Sequence, residues 1–147
     1  ALLVALRDAG DPLPAGAALI SPWTDLTMTA ATYDTRADVD PMIDRERLAV
    51  DAASYLGGAD ATTPLASPLH ADLRGLPPVL VQVGDHECLL DDSVVFAERA
   101  RAAGVDCTLE ITPEAIHVWH VFAGFAPEGD VAVARLAAWV RERLALD

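Results

Sequence analysis

A cationic surface is what this sequence has least of: 10 Lys and Arg stand against 23 Asp and Glu, a formal net charge of −13. Nucleic-acid backbones and anionic membranes are held by positive faces, so neither is an expected partner. Cysteine is nearly absent, with only Cys88 and Cys107. Two cysteines imply no disulfide framework, and a reducing, cytoplasmic setting is the expectation. No apolar run reaches a membrane-spanning length, and Ala1 to Leu6 lacks the basic lead and cleavage pattern of a signal peptide. Internal repeats and low-complexity tracts are missing too. Aromatics make up only 5% of a chain that is 52% hydrophobic. Ala, Leu and Val therefore carry the apolar content, as in an α/β or helical globule and unlike a disordered tail. At 147 residues the chain has the length of one domain and can bury roughly two thirds of its unfolded surface.

What is present alternates. Ala1 to Ala9 reads as the last turns of a largely buried helix closed by Gly10, and Asp11-Pro12-Leu13-Pro14 connects it onward. Ala15 to Ser21 reads as a buried strand of interior character. Asp25 to Asp40 is a polar excursion without period, a loop or lid. A helix with a charged first turn follows from Asp44 to Leu56 and ends at Gly57-Gly58. Ala59 to Pro78 then meanders and covers something rather than crossing the core. Val79 to Val83, introduced by Pro77-Pro78, has the β-branched, almost wholly apolar character of a strand buried on both faces. Leu89 to Ala103 is an amphipathic helix, Val105 to Ile111 a third strand, and Glu128 to Leu146 a long terminal helix. This rhythm predicts an α/β fold with about three parallel strands flanked by helices. The chain starts without Met and inside a helix, and three strands make a small sheet. A fragment of a longer domain is therefore expected.

Chemistry concentrates just past the central strand, where Gly84 is followed by Asp85, His86, Glu87, Asp91 and Asp92. The carboxyl ends of strands in open α/β sheets are where active sites form. After the next strand comes Ile116-His117-Val118-Trp119-His120. An acid after one strand and a His after the next suits acid–base work, in which the carboxylate fixes the imidazole tautomer and the imidazole moves the proton. A metal site drawn from Asp85, His86, Glu87 and His117 is disfavoured, because adjacent residues cannot all point inward and no His-x-x-x-His spacing supports it. No metal and no cofactor is expected. Asp91 and Asp92 suit the N-terminal turn of the following helix, where the dipole favours acids. His86 and His120 are read as surface residues or as residues behind the site.

Three runs together, SPWTDLT from Ser21, TPLASPLHADLRGLPPVLVQVGDHECLLDDS from Thr63 and AIHVWHVFAGFAPE from Ala115, resemble the hormone-sensitive-lipase-like carboxylesterases of the α/β-hydrolase fold. The resemblance spans nearly the whole chain and matches the C-terminal half of such an enzyme. It implies that residues 1–147 are the C-terminal portion of an α/β-hydrolase domain, with a cap segment over 25–78, acting on a small acyl ester. It places the catalytic base at His117. The triad acid falls at Glu87, where the family more often has Asp; Asp85, nearer the strand end, competes, and a loop-capping role for either acid stands beside both. Trp23, Met42, Trp119 and Phe122 are candidate pocket residues for the ester. Ser21, Ser54, Ser67 and Ser93 all lack the flanking glycines of a Gly-x-Ser-x-Gly elbow, and no His-Gly-Gly oxyanion segment is present. The resemblance puts both upstream of Ala1, so the chain alone is expected to be inactive. Two other readings stand: a non-catalytic binding module of the same fold, and a fragment whose strand Ala15 to Ser21 pairs with the missing half or with a second copy.

Overall fold

A computed structural model describes residues 1–145. Its centre is a three-stranded parallel sheet in the order β1–β2–β3, formed by β1 (Ala17–Ile20), β2 (Val79–Gly84) and β3 (Cys107–Thr112). Ala17 pairs with Val79 and Val79 with Cys107, and the register runs unbroken to Gly84 opposite Thr112. Every residue of β2 is buried, as its apolar run requires of a strand with a neighbour on each side and cover on both faces.

The two faces are covered differently. Val79 and Val81 pack with Phe96, Ala97 and Ala100 of helix α4 (Leu90–Ala102), with Val105 and Cys107, and with Val4 of helix α1 (Leu2–Ala9). Burying side chains of this size contributes roughly 1.5–3 kcal/mol each, which makes this cluster the main source of cohesion. On the opposite face Gln82 donates through Nε2 to the Ala132 carbonyl of helix α5 (Pro127–Leu144) and to Glu110 Oε2. The one polar residue of the central strand is thereby satisfied.

Several expectations shift. β1, whose character is that of an interior strand, pairs with β2 alone among the described residues, and its residues alternate between half-buried and exposed. Helix α1 buries only Val4. Its apolar side and that of β1 instead line an open hollow of about 420 Å³. β3 begins two residues late because Val105 N–H closes the end of α4 on the Ala100 carbonyl. Leu146, the expected end of the last helix, lies outside the described residues.

The excursion between β1 and β2 holds two helices, α2 (Thr32–Thr35) and α3 (Arg45–Leu56). Asp44 caps α3 by accepting from Arg47 N–H, and Gly57 ends it in the left-handed conformation at φ 55°. Met28, Tyr33 and Leu48 form a second core with Cys88 and Leu89, so the excursion sits on the segment that follows β2. Leu69, Ala71 and Leu73, further along, belong to the main core.

Asp92 lies in the first turn of α4, as expected of a charge at a helix start, yet its carboxylate is buried. Oδ1 accepts from the backbone N–H groups of Thr24 and Asp25, and Oδ2 accepts from the Tyr33 hydroxyl at 3.0 Å. Burial raises its pKa, against those hydrogen bonds. Asp92→Ala leaves two buried N–H groups without an acceptor and is expected to destabilise the full-length protein by about 3 kcal/mol. Asp92→Asn keeps one acceptor oxygen and sheds a desolvated charge, so its loss is smaller. Urea titration of both variants checks the order.

Candidate active site

β2 and β3 end side by side, and their exit loops are stitched together. Asp85 N–H donates to the Thr112 carbonyl, and His86 N–H to the Ala115 carbonyl. This crossing is tight enough that a Cβ on Gly84 would run into the Ala115 carbonyl group. Only glycine permits the approach. Its consequence is that the loop after β2, carrying Glu87, and the loop after β3, carrying His117, share one end of the sheet.

Glu87 is fully buried, and every contact on its carboxylate is a hydrogen-bond donor. Oε1 accepts from Gly84 N–H at 2.6 Å and from Ser21 Oγ at 2.8 Å. Oε2 lies 3.0 Å from His117 Nδ1. A carboxylate only accepts, so Nδ1 carries the hydrogen and Nε2 is left with a free lone pair. The His117 side chain keeps 18% of its surface exposed. The pair is thus a buried acid fixing the tautomer of a His whose other nitrogen is available as a base.

The surroundings hold this pair from several sides. Cys88, next to Glu87, donates its N–H to Asp40 Oδ2, and its Sγ lies 3.4 Å from the Ile43 carbonyl. Burial pushes the Cys88 thiol up to about 11, with the nearby Asp40 charge adding to the shift. Asp85 does not reach His117. Its Oδ1 accepts from Glu114 N–H at 2.6 Å, pinning the loop between β3 and His117 where Glu114 takes a left-handed φ of 58°.

The other candidates disperse. His86 is partly exposed beside Asp85, at 3.9 Å. His120 is not a surface residue: it is buried, its ring packs on Trp119, and Nε2 lies 2.8 Å from Gln82 Oε1. Desolvation lowers its pKa, opposed by the Glu87 charge. The four aromatic and Met candidates are not gathered in one place. Trp23 lines the hollow beside α1 and β1, and Met42 sits on a shallow surface near α3. Trp119 and Phe122 line a third hollow below α5, with Trp119 Nε1 donating to the Glu128 carbonyl. None of these three hollows is lined by His117. Among the described residues no group of three or more His, Cys, Asp or Glu is placed to hold a metal ion, and no helix is long and apolar enough to cross a membrane.

Ser21, in the sequence the end of a strand, the start of the SPWTDLT run and a serine without an elbow, joins the site with no role expected of it. Its position directly after a strand and before Pro22 was the available signal.

The chain as a whole is similar to known proteins. Residues 1–121 match the alpha/beta hydrolase fold family. An acetyl-hydrolase of Streptomyces hygroscopicus is 47% identical over 141 residues, covering 96% of this chain and 47% of that protein. An esterase of Acinetobacter venetianus is 36% identical, over 93% of this chain and 46% of its own length. Among solved structures, an esterase from the bacterial hormone-sensitive lipase family superposes with a TM-score of 0.94 at 50% identity, over 96% of this chain and 48% of that one. EstE5 soaked with ethyl alcohol gives 0.96 at 49% identity, over 98% and 49%. The chain spans about half the length of the curated relatives it matches. With its parallel sheet and strand-end loops, the chain belongs to the alpha/beta hydrolase fold family and matches its hormone-sensitive-lipase-like esterases.

Proposed function

We propose that this chain supplies the general base and its orienting acid to a serine carboxylesterase whose nucleophile and oxyanion donors lie in sequence preceding Ala1. The observation that carries this is the buried Glu87 paired with His117 at 3.0 Å, with Nε2 left free. Family relatives named as acetyl-hydrolase and esterase support the reaction class.

In this reading His117 Nε2 takes the proton of a serine hydroxyl as its oxygen attacks the ester carbonyl. Collapse of the tetrahedral intermediate breaks the bond to the alkoxy group, and His117 returns the proton to the departing alcohol. Water then repeats the sequence on the acyl-enzyme, releasing the carboxylic acid. Glu87 stabilises the imidazolium in each half and keeps Nδ1 protonated. Residues 25–78 contribute part of a cap over the acyl group, since their first half is packed on the segment that carries Glu87.

A fluorophosphonate probe tests the arrangement. It loses fluoride to an activated serine and leaves a stable phosphonyl ester. In the full-length protein the adduct is expected on a serine outside residues 1–147, and peptide mapping by mass spectrometry locates it. An adduct on Ser21, Ser54, Ser67 or Ser93, or none at all, overturns the reading.

A further inference from the structure

We infer that Ser21 is a positioning residue for the Glu87–His117 pair: its single hydroxyl holds the acid and the loop of the base at once. The inference rests on the reading of that pair as the acid and base of the esterase.

Ser21 is buried, one residue beyond the end of β1. Its N–H still bonds the Gln82 carbonyl at 2.8 Å, so the backbone remains in the ladder of the sheet. There its φ turns to 45°, a left-handed value that an L-residue adopts only under constraint. The turn aims Oγ across the end of β2. Oγ donates to Glu87 Oε1 at 2.8 Å and accepts from Val118 N–H at 3.1 Å. A hydroxyl has one hydrogen and two lone pairs, so the two bonds are compatible and directional: the donor goes to the carboxylate, the acceptor receives the amide.

Val118 adjoins His117 and itself sits at φ 48°. A β-branched side chain in that region is a conformational outlier, and it persists only where neighbours enforce it. The Ser21 hydroxyl is one such enforcer. Two strained residues, one just past β1 and one in the loop after β3, are therefore bonded directly to each other, and the same Ser21 hydroxyl holds the acid. On the carboxylate the effect is a division of labour. Gly84 N–H and Ser21 Oγ occupy Oε1, and Oε2 is left to His117.

The test uses the full-length protein with Ser21→Gly and Ser21→Ala, alongside His117→Ala. Glycine removes the hydroxyl and relieves the left-handed φ, so it preserves folding where alanine lowers it. Both Ser21 variants are expected to lose about 10- to 100-fold in kcat on a p-nitrophenyl ester, with KM changed less than about twofold. Taking a donor from the carboxylate leaves its buried charge less satisfied, so the acid limb of the kcat/KM profile is expected to move to higher pH. If activity falls only with the folded fraction, or the acid limb stays in place, Ser21 is structural and the inference fails while His117→Ala remains dead. An active His117→Ala variant would instead sink the esterase reading beneath it.

Discussion

Replacing His117 with Ala in the full-length protein is expected to reduce kcat for ester hydrolysis on the order of a million-fold, with KM nearly unchanged. Loss of the base from a serine nucleophile–histidine unit is about as damaging as loss of the whole unit, because the serine hydroxyl has no other group to take its proton. The substitution should leave the fold intact. His117 makes one side-chain hydrogen bond, to Glu87, and keeps part of its ring in solvent. Glu87 retains two donors, Gly84 N–H and Ser21 Oγ, so its buried charge is not abandoned. A melting temperature within a few degrees of the parent, together with an activity near that of buffer, is the expected outcome. Hydrolysis within about tenfold of wild type would refute the role of His117.

What makes the pair possible is the set of donors that three chain segments bring to the acid. Glu87 is buried with no Lys or Arg on its carboxylate, and an isolated charge so placed is costly unless donors surround it. Three donors do so. Each comes from a different segment: the end of β1, the end of β2 and the loop after β3. The left-handed residues Ser21, Glu114 and Val118 stand on the first and third of these segments, and each carries a hydrogen bond that holds a site loop in place. Strain of this kind costs on the order of 1–3 kcal/mol per residue and survives only where surrounding structure over-determines it.

The same distinction explains what could be read from the sequence. Helix ends at Gly10 and Gly57, the charged start of α3 and the buried run of β2 are local in origin, so residue type and spacing sufficed. The meeting of Glu87 and His117 at one end of the sheet was legible because each follows a strand by a few residues and the surrounding runs resemble a known family. The alternating exposure of β1 was not, since apolar content marks a strand as interior in character without saying what covers it. Asp92 was read as a helix-start charge, and its bonds to Thr24, Asp25 and Tyr33 come from residues about 60–70 positions away in sequence. The pocket candidates were chosen by residue type alone, and Trp23, Met42 and Trp119 fell in separate places. Ser21 joins residues 66 and 97 positions away, a link no periodicity encodes.

Glu87→Gln provides the sharpest test of which acid serves His117. The replacement is nearly isosteric, so packing at this fully buried position is preserved. Gly84 N–H and Ser21 Oγ both need an acceptor at Oε1, and the amide oxygen of Gln satisfies them there. The amide NH2 then faces Nδ1 of His117. Two donors cannot share one hydrogen bond, so Nδ1 must give up its hydrogen, and the proton moves to Nε2. An imidazole in that tautomer cannot accept a proton from serine, and a loss of about ten-thousand-fold in kcat is expected, with little change in KM or in melting temperature. Glu87→Asp keeps the charge but falls short of His117 by a methylene, and should retain intermediate activity. Asp85→Asn is the control. Its oxygen can still accept from Glu114 N–H, so activity should stay within a few-fold of wild type. If Asp85→Asn were the crippled variant and Glu87→Gln the active one, the acid of this site would have to be reassigned to Asp85, and the loop after β3 would have to move to meet it.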